Sequence, residues 1–304
     1  MLNPILASSA LRRMRTSRAI VIVGAYASVL MLLACLGMGA FIGSDAVTIG
    51  DMSAGVTAYT ILLSAQFALI VLVAPAMTAG AIAGERERQT LELLLVTNTC
   101  SFSIVFGKLM ESFAFLALLI VSGLPAMCLT MMLGGVTLAQ ILTGMLFLLC
   151  CAFAAASVGI LCSSFMRGTV PATVVSYILI LLIGIGTLVP IATSIDRECI
   201  TGVVYDSEAY AALSQAEAMK LLPKLLYVNP GIGLVTLIES QTAMFLDYYF
   251  NLGRMYATVL LLQKIGCNVF PFVNMAAMLA LGSVLVGIAA ALVRPRRVRV
   301  RRKR

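Results

Sequence analysis

The 304-residue sequence contains no histidine and no tryptophan, and only 11% of its residues are charged. Without histidine there is no His-bearing catalytic triad, no HExxH zinc site and no imidazole pH switch. No GxxxxGK[ST] run occurs, so the chain does not hold ATP through a P-loop of its own. An ordinary soluble domain is about 45–50% apolar and roughly 25% charged. Here 61% of the residues are apolar and the mean hydropathy is +1.05. That leaves too few polar side chains to cover a water-soluble globule, and the same figures exclude a disordered chain. The sequence is that of a membrane protein.

Charge serves as the ruler for threading it. A membrane-crossing helix needs about 20 mostly apolar residues, since each adds about 1.5 Å against a core of about 30 Å. The charge-free stretches are 19–44, 52–84, 112–166, 168–195 and 265–293. The third is too long for one helix and is broken by Gly134-Gly135, which predicts two spans joined by a tight turn. The expected fold is therefore all-α, with six transmembrane helices over 19–42, 56–82, 112–132, 138–162, 169–191 and 270–293. The apolar run after Arg18 is longer than a signal-peptide core and has no convincing small-residue cleavage site, so it is read as the first span.

Lys and Arg flanks set the orientation. With six spans, sixteen basic residues and four acids (Glu85, Glu87, Glu92, Glu111) fall on the side of the termini, a net +12. Five basic residues and nine acids fall on the other side, a net −4. Both termini are expected in the cytoplasm. Residues 1–18 mix four arginines with Ile5, Leu6, Leu11 and Met14, the pattern of an amphipathic helix lying on the cytoplasmic leaflet. The tail, 294–304, carries eight bases directly after the last span, a placement that fits topology anchoring and anionic lipid better than nucleic acid.

Two non-membrane regions are sizeable within this single transmembrane domain: cytoplasmic 83–111 and external 192–269. In the external one, 206–222 is a good helix former stopped by Pro223; Asn229-Pro230-Gly231 reads as a turn, and 232–249 as a second helix. Of eight cysteines, five fall in spans and Cys100 faces the reducing cytosol. Cys199 and Cys267 remain as an external pair at opposite ends of the insertion, where a disulfide would staple its base.

The predicted spans hold no Asp, Glu, Lys or Arg, which argues against an ion-coupled carrier, because coupling ions need something to bind. Their strongest polar group is Gln66, which either lines a translocation path or hydrogen-bonds a neighbouring helix. With no motor in the chain, the energy has to come from a partner. The loop after the second span reads Gly84-Glu85-Arg86-Glu87-Arg88-Gln89-Thr90-Leu91-Glu92-Leu93-Leu94-Leu95-Val96-Thr97. On a helix, Leu91, Leu94 and Leu95 share a face at i, i+3, i+4 and Arg88 pairs with Glu92 at i, i+4. Alternating acids and bases suit a protein groove better than an anionic bilayer. A non-transporting scaffold subunit is the alternative class.

This loop, the preceding run from Pro75 to Ala83, and Ile104-Val105-Phe106-Gly107-Lys108-Leu109 resemble the permease subunit of ABC-2-type transporters of bacteria. Asn3-Pro4-Ile5-Leu6 and Ser163-Ser164 with Arg167 add support. The resemblance implies an N-terminal elbow helix and a coupling helix between the second and third spans. It further implies two copies of a separate ABC ATPase, which holds the ATP and magnesium, and a second permease chain, the same or related. The permease itself has no catalytic, cofactor or metal residues. On this reading Glu85, Arg86, Glu87, Arg88, Thr90, Leu91, Glu92, Leu94 and Leu95 form the ATPase-coupling element of an exporter in the bacterial plasma membrane.

Overall fold

The computed structural model describes residues 17–42, 52–89, 101–187, 227–242 and 269–293. Within them the chain is wholly helical: α1 (Ser17–Ile42), α2 (Met52–Thr78), α3 (Gly80–Glu87), α4 (Ser101–Ser122), α5 (Leu124–Leu133), α6 (Leu138–Phe165), α7 (Thr169–Gly186), α8 (Pro230–Thr242) and α9 (Phe270–Leu292). Six stretches are long and apolar enough to cross a membrane: Ala19–Leu36, Ala54–Glu87, Ser101–Leu133, Leu138–Phe165, Thr169–Gly186 and Phe270–Leu292. They fall where the charge ruler puts them, with informative differences at two. The elbow region, 90–100, and most of the external insertion lie outside the described residues, as do Cys100, Cys199 and Cys267.

The second span is a helix pair. Pro75 lies within α2, where it removes one backbone donor, and α2 ends at Thr78; α3 resumes one residue later and carries the helical path to Glu87. The third span begins at Ser101, eleven residues before the expected start. The ruler stopped at Ser112 because Lys108 and Glu111 are charged, yet both lie on α4, and Lys108 is neutralised by Glu85 at 2.7 Å. The same span breaks at Gly123, whose amide bonds back to Ile120 O at 3.1 Å, since Pro125 in the next turn offers no N–H. The predicted turn at Gly134-Gly135 is present, both residues having positive φ (90° and 81°), a conformation that side chains strain to adopt.

α6 is the centre of the bundle: 17 of its 28 residues are buried, against 2 of the 18 in α7. It packs on α2, α3, α4, α7 and α9. Between helices in lipid, close packing supplies attraction that the hydrophobic effect does not, so small residues belong at the contacts. Gly159 of α6 meets Thr78 of α2 so closely that a Cβ there would overlap the threonine hydroxyl. The outward face of α7 carries exposed Val170, Val174, Ile178, Leu181, Leu182 and Ile185, a surface suited to hydrocarbon. α6 starts with a capping box in which Thr137 and Gln140 each bond the other's backbone amide.

α8 begins where the sequence suggests a turn. Asn229 caps it, its Oδ1 accepting from Gly231 N (2.8 Å) and Ile232 N (3.3 Å), and Pro230 occupies the first helical position. The sequence places 232–249 outside the spans, but α8 packs against α9, α6 and α2, burying Leu234, Leu237 and Ile238. Its start lies beside Phe147, nine residues and so about 13 Å from the Leu138 end of α6. Both ends of α8 are tied by amides. Asn229 Nδ2 donates to Gly184 O and Thr187 Oγ1, and Asn274 of α9 donates to Tyr227 O and Asn229 O. At the other end, Gln140 Nε2 donates to Gln241 O, while Tyr59 donates to Gln241 Oε1.

Candidate coupling junction

The predicted coupling element starts at the charged end of α3, where three helix termini lie close together. None of the three is closed by its own flanking sequence. α3 has Ala79 at its N-cap and α7 has Gly168, neither with a side-chain bond, and α6 ends at Met166 in extended conformation. Helix ends leave several amides or carbonyls without intrahelical partners, and in an apolar bundle those groups need another source.

They find it in one another. Ser163 of α6, fully buried, presents its Oγ to Ile82 N and Ala83 N in the first turn of α3, both at 2.8 Å. Arg86 of α3 reaches back to the last turn of α6, Nη2 donating to Ser164 O (3.0 Å) and Nη1 to Met166 O (3.2 Å). Glu87 Oε2 accepts from Thr169 N (3.2 Å) and Thr169 Oγ1 (3.1 Å), which closes the N-terminus of α7. A carboxylate there also lies at the positive end of the helix dipole. Hydrogen bonds with one charged partner contribute about 1.5–3 kcal/mol each when sheltered, and less where water competes. Glu87 is exposed, so its bonds belong at the low end.

A fourth helix joins by an ion pair. Lys108 Nζ lies 2.7 Å from Glu85 Oε1 and 3.7 Å from Glu111 Oε2, linking α3 to α4. The Lys108 and Glu85 side chains are 30% and 20% exposed. Solvent screens such a pair, and about 1 kcal/mol is an upper expectation. Beyond α3 the backbone turns sharply: Gln89 adopts φ 60°, and Arg88 N and Gln89 N bond back to Gly84 O and Arg86 O. A left-handed residue just past a helix end is the usual way to redirect a chain. Here it steers the backbone off the α3 axis immediately before Thr90.

The nine predicted coupling residues thus divide. Glu85, Arg86 and Glu87 face α4, α6 and α7 of their own chain, and Arg88 is exposed. Thr90, Leu91, Glu92, Leu94 and Leu95 lie outside the described residues. Gln66, fully buried, is remote from the junction; its Nε2 donates to Ile120 O at 3.0 Å, at the break between α4 and α5. That bond supplies a second donor to a carbonyl exposed by the break. Sequence reasoning did not find Thr169, nor the cross-helix role of Ser163, because each meets its partner about 80 residues away. An unusually polar pair of positions at a span boundary was the only local signal.

Among the described residues, no group of three or more His, Cys, Asp or Glu side chains could hold a metal ion. Cys35, Cys128, Cys150, Cys151 and Cys162 are free thiols, the last three buried as packing residues. A small apolar cleft, about 40 Å³, lies between α2, α6, α7 and α9, lined by Val71, Cys151, Ala155, Ile183 and Met278 with Pro230 of α8 at one side. Nothing charged lines it.

Comparison with curated proteins gives no match. The family model described as ABC-2 family transporter protein matches residues 5–297, nearly the whole length. Six apolar helices in an all-helical bundle, a charged junction at the end of the second and this match together place the chain: it belongs to the ABC-2 transporter family, as a multi-pass membrane subunit of an ABC transporter.

Proposed function

We propose that the chain is the permease of an ATP-driven exporter in a bacterial plasma membrane, both termini cytoplasmic. A separate ABC ATPase docks on the segment 88–100 between α3 and α4. Two permeases and two ATPases make the working unit; ATP and magnesium stay with the ATPases. Leu91, Leu94 and Leu95 enter a groove of the ATPase as the apolar face of a coupling helix, with Arg88, Thr90 and Glu92 at its rim. Closure of the ATPase pair pushes that helix, and the push rocks the spans.

The observation that carries this reading is the root of the loop. Glu85, Arg86 and Glu87 bind α4, α6 and α7, so displacement of the segment that follows reaches three spans besides its own. A loop that merely rested on lipid would need no such anchorage. The cargo is amphipathic or hydrophobic: the cleft between the spans is apolar, and the charges on the described spans gather at one end. The Lys and Arg excess at that end supports its cytoplasmic placement.

The test is a paired substitution. Leu91→Asp with Leu94→Asp should abolish co-purification of the ATPase and permease-stimulated ATP hydrolysis, while the chain still inserts into membranes in wild-type amount. Undiminished stimulation in that variant would refute the docking assignment.

A further inference from the structure

The junction contains more than an attachment point. α3 receives its N-terminal cap from α6 and returns two carbonyl partners to α6 through Arg86. That exchange runs in both directions, so α3 and the end of α6 cannot slide past each other without breaking four bonds together. The link from this pair to α7 is of another kind. It runs through the turn Met166-Arg167-Gly168, through a small buried apolar contact of Ala79 and Ala83 with Ala172, and through one carboxylate, Glu87, on the amide and hydroxyl of Thr169. α7 is also the least packed of the spans, with 2 of its 18 residues buried against 17 of 28 in α6. Its inner half adds one further tie, Tyr177 OH to Leu72 O at 2.7 Å. Motion arriving at the junction therefore meets α6 across four hydrogen bonds, and α7 across the Glu87 carboxylate and one small apolar contact.

We propose that Glu87 is the positioning residue that passes movement of the coupling loop to α7, pulling on the Thr169 end of that helix while Ser163 and Arg86 hold α3 to α6. The inference rests on the exporter reading above and deepens it. Glu87, expected from the sequence as part of the ATPase-coupling element, becomes a link within this chain. The Glu85–Lys108 pair, its side chains 20% and 30% exposed, leads instead to α4.

The experiment uses the full permease–ATPase complex in lipid nanodiscs, with hydrogen exchange followed by mass spectrometry without nucleotide and after trapping with ATP and vanadate. Peptides covering 80–89 and 166–177 are compared. In the wild type both should change on trapping. In Glu87→Leu the change at 166–177 should fall at least fivefold while that at 80–89 persists. Glu87→Gln, which keeps an acceptor oxygen, should recover at least half of it. Thr169→Val, which loses the hydroxyl but keeps the amide, should be intermediate. A purely structural role would raise exchange at 166–177 without nucleotide and leave the trapping-dependent change intact, overturning the proposal. Loss of both responses in Glu87→Leu would place Glu87 on the ATPase and overturn it too. A wild type that responds at 80–89 alone refutes the link to α7, whereas no response at either peptide refutes the exporter reading and the inference with it.

Discussion

Ser163 and Ser164 are adjacent, both buried and chemically identical, yet the structure gives them unequal work. Ser163 Oγ accepts from two amides of α3, whereas Ser164 Oγ only donates back to Ile160 O of its own helix at 2.8 Å. Ser163→Ala leaves Ile82 N and Ala83 N in an apolar setting without their acceptor. An unsatisfied buried group costs about 1–3 kcal/mol, and partial relaxation toward ordinary helical bonding keeps the sum for the two within that range. Ser164→Ala removes a local bond whose carbonyl keeps its helical partner, so less than about 0.5 kcal/mol is expected. Measured as thermal unfolding of the detergent-solubilised chain, Ser163→Ala should lower the midpoint by roughly 2–10 °C. Ser164→Ala should move it by no more than about 1 °C. Equal midpoints for the two variants would refute the cross-helix cap, and a larger fall in Ser164→Ala would invert the argument.

Other substitutions test the remaining contacts. Gly159→Leu drives a branched side chain into Thr78 and should cost more than about 3 kcal/mol, read as collapse of folded yield; tolerance of Leu there would show that α2 and α6 do not approach closely. Lys108→Met should destabilise by no more than about 1 kcal/mol, an effect that shrinks as salt is raised; a larger, salt-insensitive loss would contradict the screened pair. Gln241→Leu removes the acceptor of Tyr59 and the donor to Thr143, and should loosen α8, seen as faster amide exchange over 230–242; unchanged exchange would show that the amide tie does not hold it.

Charge scarcity made most of this architecture legible. A span that admits no charge leaves a gap any reader can measure, so α1, α6, α7 and α9 fall close to their expected limits. The same ruler failed at α4, where Lys108 and Glu111 lie on the helix because Glu85 brings the compensating charge from another span, a pairing no local window contains. α8 was half legible: Asn229 and Pro230 announce a change of direction, but whether it leads away from the bundle or along it depends on Asn274 and Gln140, far off in sequence. At the junction the sequence singled out Glu85, Arg86 and Glu87 by type. It could not say which way they face, because Arg86 and Glu87 meet backbone groups of Ser164, Met166 and Thr169 and one hydroxyl, and Glu85 meets a lysine on another span. Read from the loop alone, those charges belong to a partner protein; read with α6 and α7 beside them, they belong to this one.

The central claim is that an ABC ATPase engages the segment just past α3. It is tested most directly by a photo-crosslinking amino acid placed at Leu94, with a control at Leu138, which is exposed at the opposite end of the bundle. The account predicts that illumination of intact cells joins the chain to a protein carrying a P-loop ATPase domain from Leu94 and not from Leu138. Capture of that ATPase from Leu138, or from neither position while the complex still hydrolyses ATP, would contradict it.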